Sequence, residues 1–173
     1  MSQNGHIEIK IASPEDQEIV AEMFLHLLEF LDQFEHDMLP TRGNAEFITH
    51  TVFMPAAARG EPILIAWDQN KPIGGIFWPV HQLPYEARWK MAYGYGTYLK
   101  EGYRNQKLGT QLRHRALKIL RSLNVQRLMG MVHTKNKISL KASQGFGFVP
   151  FARLDLLNIE AHATPHPSGD ENL

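Results

Sequence analysis

The sequence predicts an α/β domain, a central sheet with helices on both faces, and three observations carry that expectation. Apolar residues alternate over short runs (Ile7, Ile9, Ile11) and recur at spacings of three and four over longer ones (Val20, Phe24, Leu27, Leu31, Phe34). The two patterns interleave along the chain in the order β α α β β β α β α β. The 173 residues, 43% hydrophobic and 21% charged, suit one compact core, and with no cysteine its stability must come from packing.

The elements follow in order. Ile7 to Ile11 is a strand by alternation. Ser13 before Pro14, Glu15 and Asp16 is an N-cap with proline at the first helical position and an acidic partner at the third. The helix it opens runs to about Asp37, where Pro40 and Gly43 prevent continuation. A weaker helical pattern covers Ala45 to Ala58 and stops at Arg59-Gly60. Ile63 to Trp67 and Ile73 to Trp78 form a hairpin around Asp68-Gln69-Asn70-Lys71. Pro79 and Pro84 mark a loop. Trp89 to Leu99 is a fourth strand, aromatic at alternate positions, with Gly94 and Gly96 signalling a bulge or close backbone approach. Leu108 to Leu123 is an amphipathic helix, Arg127 to His133 a strand, Asn136 to Ser143 a short helix and Phe148 to Leu157 a last strand. Residues 1–159 read as one domain. The polar, proline-broken stretch 160–173 reads as a mobile tail.

Net charge is zero, 18 bases against 18 acids, but the signs are segregated. Residues 1–37 carry nine acids and one base, whereas residues 100–141 carry eleven bases and one acid, Glu101. An anionic ligand is expected at the basic band. Nucleic-acid binding by the basic band around Arg113 to Arg127 is not, since the helix within it also carries a full apolar stripe and the acidic first helix repels phosphate backbones. The longest apolar run, Ile63 to Trp67, is too short to cross a bilayer, and the first residues lack a basic patch followed by an apolar stretch. A cytoplasmic protein without a membrane partner is expected.

The most informative stretch runs from Thr97 to Leu112: a strand, a short loop and a helix start. Unpaired amides and the positive end of the dipole make a helix N-terminus a place for phosphates, and Arg104 and Lys107 add full charges beside it. The stretch Arg104-Asn105-Gln106-Lys107-Leu108-Gly109 resembles the pyrophosphate loop of the GNAT superfamily of acyl-CoA-dependent N-acyltransferases, Arg/Gln-x-x-Gly-x-Gly/Ala. Lys107 occupies the first glycine position. Downstream, Val132, Asn136, Ser139, Gly147 and Phe148 match a second pattern of the same family, and the element order agrees from Ile7 to Leu157.

The resemblance implies a mixed, mostly antiparallel sheet with splayed fourth and fifth strands and acetyl-CoA bound between them. It implies that the Leu99 backbone, at a strand bulge, holds the acyl carbonyl. The loop Arg104, Asn105, Gln106, Lys107, Leu108, Gly109 and Thr110 would hold the pyrophosphate, Asn136 the pantetheine arm, and Lys137 and Lys141 the nucleotide phosphates. The family's usual tyrosine acid falls at Ser143 and its glutamate base, found in some members, at Tyr93. His133 beside the slot and His81 after the third strand are the imidazoles that could end a water chain. Tyr93 and Tyr95 can equally pack or line an acceptor pocket. The spacing of His162 and His166 does not make a metal site, and no metal is expected. Acetyl transfer to an amine, cationic if acids of the first helix border its site, is the expected activity. An acyl-CoA-binding module without catalysis is the alternative. Family likeness suggests a homodimer.

Overall fold

The computed structural model describes residues 7–34, 38–81 and 88–150, which fall into two compact units, Met1–Asn136 and Lys137–Leu173. In the first unit, β1 (Ile7–Ile11) leads through a 3-10 turn, Pro14–Asp16, into α1 (Gln17–Asp32). The turn is held by the Asp16 carboxylate, which accepts from the Ser13 amide and hydroxyl, both at 2.8 Å. α1 ends at Asp32, before the expected Asp37, and residues 35–37 lie outside the described residues.

Helical structure resumes earlier than its apolar pattern suggests, because Thr41 caps the Asn44 amide at 3.2 Å. It runs through α2 (Arg42–Ile48), a π-helical turn (Thr49–Phe53) and α3 (Met54–Ala58). The hairpin of β2 (Ile63–Asp68) and β3 (Lys71–Phe77) turns at Gln69-Asn70, with Gln69 at φ 55°. β4 (Met91–Gly94) and β5 (Gly96–Leu99) replace the single fourth strand. α4 (Leu108–Ser122) and β6 (Arg127–Gly130) complete the unit.

One antiparallel sheet has the order β1-β2-β3-β5, and β4 pairs in parallel with β6. Alternation along these strands divides the core into two layers. A Cβ on Gly75 would meet Met23 of α1, while Leu99, opposite the neighbouring Gly74, lies against Gly109 of α4. The two helices therefore cover opposite faces. Val20, Met23, Phe24, Leu27 and Leu28 of α1 are buried with Ile63, Ile65 and Phe77, and α4 buries Leu108, Leu112, Ala116 and Leu120. Each such Val, Leu, Ile, Met or Phe side chain stabilises the fold by roughly 1.5–3 kcal/mol. A buried carboxylate, Glu61, receives Arg59 Nε at 2.6 Å and the Val80 amide at 2.7 Å, pinning the start of β2 to the segment beside β4.

The strand break sits at Tyr95, four residues before Leu99. Gly96 takes φ 148°, a value that L side chains rarely adopt, and a Cβ there would stand 2.7 Å from Leu27 Cδ2. Leu99 itself pairs regularly with Gly74, so the expected bulge at Leu99 is corrected to Tyr95-Gly96. Before the break, Tyr93 donates to Pro79 and His81 to Met91; after it, β5 follows β3.

In the second unit α5 (Lys137–Gly145) ends in a left-handed cap, with Gly147 at φ 98° and the Phe148 amide donating to Ser143 at 3.0 Å. Residues 148–150 carry no strand, and the remainder of the expected last strand, with the tail 160–173, lies outside the described residues. Among the described residues no helix is long and apolar enough to cross a membrane.

Gly96→Ala should destabilise the protein by about 1–3 kcal/mol, through backbone strain and the contact with Leu27. Urea unfolding should show a smaller penalty in a Leu27→Ala background, where the contact is gone and only the backbone strain remains. Equal penalties in both backgrounds would place the whole cost in the backbone.

Candidate functional site

The site begins with an unshared strand edge. Among the described residues β6 pairs only with β4, ending at Gly94 opposite Gly130, while β5 is the last strand of its sheet. Among the described residues the outer edge of β5 has no strand beside it. Hydrogen bonding alternates along an antiparallel pair. Lys100 donates to Ile73 at 3.0 Å, so Tyr98 and Lys100 face β3, whereas the amides of Thr97 and Leu99 point to the open edge. Such amides can pair with an extended amide-bearing chain or hold a polarised carbonyl oxygen. Thr97 was not singled out from the sequence, because strand phase depends on register with β3.

The loop after β5 is tied at several points. Arg104 Nε donates to the Leu99 carbonyl at 3.1 Å, which lays the arginine along the open edge. Tyr103 donates to Asp68 of the hairpin at 2.7 Å, and Gln106 Nε2 to the Gly102 carbonyl at 2.8 Å. Asn105 and Lys107 both take φ 62°, and Lys107 is the N-cap residue of α4. The amides of Leu108, Gly109 and Thr110 then open at the helix start, an arrangement suited to an anion. One turn on, burial lowers the pKa of the Arg113 guanidinium.

On the other face, a stripe of α1 contains Glu22, His26, Glu29 and Phe30, and Phe34 follows in the turn after the helix. His26 stacks on Tyr98 with centroids 5.6 Å apart, and Phe34 stacks on His133 at 6.2 Å. Phe30 meets Phe34 edge-on at 5.7 Å. Tyr93 packs edge-on against Tyr95 at 4.9 Å, and Tyr95 reaches Phe24 and Phe53 of the core. Burial raises the pKa of the Tyr95 phenol, as it does that of Tyr98, where Arg104 opposes it and Glu22 and Glu29 add to it.

The expected residues are distributed as follows. Leu99, Arg104, Asn105, Gln106, Lys107, Leu108, Gly109 and Thr110 lie on one continuous strand, loop and helix start. His133 follows β6, its Nδ1 receiving the Lys135 amide at 3.1 Å; Asn136 is buried, with its amide donating to the His133 carbonyl at 2.9 Å. His81 donates from its backbone to Met91, at the end of β4 away from the open edge. Lys137, Lys141 and Ser143 belong to α5 of the second unit. His162 and His166 are outside the described residues.

Lys107 in a left-handed conformation carries strain of roughly 1 kcal/mol that glycine avoids. Lys107→Gly should therefore unfold at higher urea than wild type, and Lys107→Ala should not; a lower midpoint for the glycine variant would contradict the strain. The Tyr103 bond has its own pH signature. Asp68 raises the phenol's pKa, first through the hydrogen bond itself. Its stabilisation is complete below the ordinary phenol value of about 10 and is lost as pH rises through the raised one. The stability difference between wild type and Tyr103→Phe should be constant near neutrality and vanish in strong alkali.

Residues 24–148 match the model of the Acetyltransferase (GNAT) family. No protein of curated function matches the sequence. Among solved structures, an aminoglycoside N-acetyltransferase, AAC(6')-Iy, in complex with CoA superposes with TM-score 0.69 at 13% identity, covering 91% of this chain and 97% of that one. A GCN5-related N-acetyltransferase from Ralstonia eutropha gives TM-score 0.69 at 15% identity, with coverage of 88% and 99%. An aminoglycoside acetyltransferase from an uncultured soil metagenomic sample, in complex with sisomicin, gives 0.59 at 13%, with coverage of 91% and 96%. With a matching model over residues 24–148 and the strand break, open edge and helix start on one chain path, this protein belongs to the GNAT acetyltransferase family.

Proposed function

We propose that the protein transfers an acetyl group from acetyl-CoA to an amine by direct attack in a ternary complex. One observation carries the reading: the Thr97 and Leu99 amides face an edge of β5 that no described strand occupies. Pantetheine contains two amides and can run along that edge as a strand would. In this reading the Leu99 amide holds the acyl carbonyl and polarises it, with Thr97 as a second donor. Asn105, Gln106, Lys107, Leu108, Gly109 and Thr110 surround the pyrophosphate, and Arg104 supplies positive charge beside it. The family pattern adds Asn136 for the pantetheine arm and Lys137 and Lys141 for the nucleotide phosphates.

The amine nitrogen attacks the thioester carbon, the carbonyl oxygen gains negative charge at the outward amides, and the carbon–sulfur bond breaks as the carbonyl re-forms. A thiolate with a pKa of about 8.5 leaves without a strong acid, so Ser143 need only donate a hydrogen bond. Tyr93 supports an aromatic lining role better than a base, given its packing on Tyr95. Glu22 and Glu29 on α1 support a cationic acceptor, as do aminoglycoside-bound relatives.

Acetyl-CoA at 100 times its dissociation constant should stabilise the protein by roughly 2.7 kcal/mol. Thiol release over an amine panel should favour cationic acceptors, with Michaelis constants that rise with salt. Binding without thiol release would leave an acyl-CoA-binding module; neither would remove the reading. Removing Lys107 should separate its two effects: Lys107→Gly and Lys107→Ala should both bind acetyl-CoA more weakly at low salt, with acetyl-pantetheine, which lacks the pyrophosphate, bound as by wild type.

A further inference from the structure

The transfer just described releases a proton from the acceptor nitrogen, and His133 and His26 differ in their ability to take it. At His133, Nδ1 accepts the Lys135 amide at 3.1 Å. The neutral ring then carries its proton on Nε2, which makes that nitrogen a donor. At His26 the arrangement is reversed. Nδ1 lies 2.8 Å from Glu29 Oε2, so the proton sits between them and Nε2 keeps its lone pair. Glu22 Oε1 stands 3.8 Å from Nε2, beyond hydrogen-bond reach.

Three further features distinguish this imidazole from an ordinary helix-surface partner. Its ring lies nearly parallel to that of Tyr98, at an interplanar angle of 23°, which fixes its tilt. Tyr98 sits between Thr97 and Leu99, the two residues whose amides face the open edge. The ring also shares a surface depression with Glu22, Tyr98 and Lys100, leaving it open to solvent. The charged and titratable groups around it are Glu22 and Glu29 from α1, Tyr98 from β5 and Lys100 just beyond. Arg42 of α2 acts on Glu22, and Arg104 on Tyr98.

We propose that the His26–Glu29 pair is the proton acceptor of acetyl transfer. This rests on the acetyltransferase reading above and assigns it a base. As the amine nitrogen forms its bond to the thioester carbon, one N–H proton passes to His26 Nε2, directly or through water. The C–S bond electrons leave with the CoA sulfur as thiolate. Glu29 stabilises the imidazolium until it returns the proton to solvent.

The test uses the full chain with acetyl-CoA and the best amine of the panel. His26→Gln keeps a side-chain donor toward Glu29 but cannot accept a proton. Its kcat should fall by about 10²-fold or more, while calorimetric affinity for acetyl-CoA stays within about twofold of wild type. Glu29→Gln should lose less rate, because the proton acceptor itself remains and only its stabilising carboxylate is gone. Free imidazole should restore part of the turnover of His26→Ala, which a structural role would not allow. Wild-type kcat in His26→Gln, or no rescue of His26→Ala by imidazole, would overturn the proposal and leave acetyl transfer standing. Absence of turnover in the wild-type protein with every amine would overturn both.

Discussion

At Gly96 the chain takes φ 148° with Leu27 against its Cα, and this turn decides which partner each half of the strand can reach. Before it, β4 lies between the Pro79–His81 segment and β6; after it, β5 follows β3 and parts from β6. The open edge exists because the turn redirects the strand without ending it. Glycine is required there twice over, for the backbone angle and for the close approach of α1. The position of α1, and so of its stripe from Glu22 to Phe30, depends on that same contact.

Charge segregation acquires a spatial meaning through the sheet. α1 and α4 cover opposite faces, so the acids of α1 (Glu18, Glu22, Glu29 and Asp32) and the bases of α4 (Arg113, Arg115, Lys118 and Arg121) are separated by the strands rather than neutralising each other. An anion at the start of α4 meets Lys107 and Arg104, and a cation beside Tyr98 meets Glu22 and Glu29. Opposite potentials on the two sides suit a reaction whose two substrates carry opposite charges. The ties from Tyr103 to Asp68 and from Arg104 to the Leu99 carbonyl keep the basic loop in register with the edge it serves.

Much of this was legible in the residues. Spacings of three and four located α1 and α4, alternation located β1, two short apolar-rich runs around a polar turn located the hairpin, and Gly94 and Gly96 signalled an irregular fourth strand. What could not be read depends on long-range pairing. The break belongs at Tyr95 rather than Leu99, since only the register with β3 shows that Leu99 pairs regularly. Strand phase likewise hid Thr97. The left-handed backbone at Lys107 is invisible in a residue that rarely adopts it, though the family's glycine at that position was a hint. The spacing of Glu22, His26 and Glu29 fits any solvated helix face; stacking on Tyr98 is what sets His26 apart.

The central claim is that the open edge of β5 receives the extended arm of acetyl-CoA. Amide hydrogen exchange, followed residue by residue with and without acetyl-CoA, tests it most directly. The account predicts that Tyr98 and Lys100, bonded to β3, are protected in the free protein, whereas Thr97 and Leu99 exchange quickly until acetyl-CoA slows them. Thr97 and Leu99 amides already protected in the free protein, or unchanged by saturating acetyl-CoA, would contradict it.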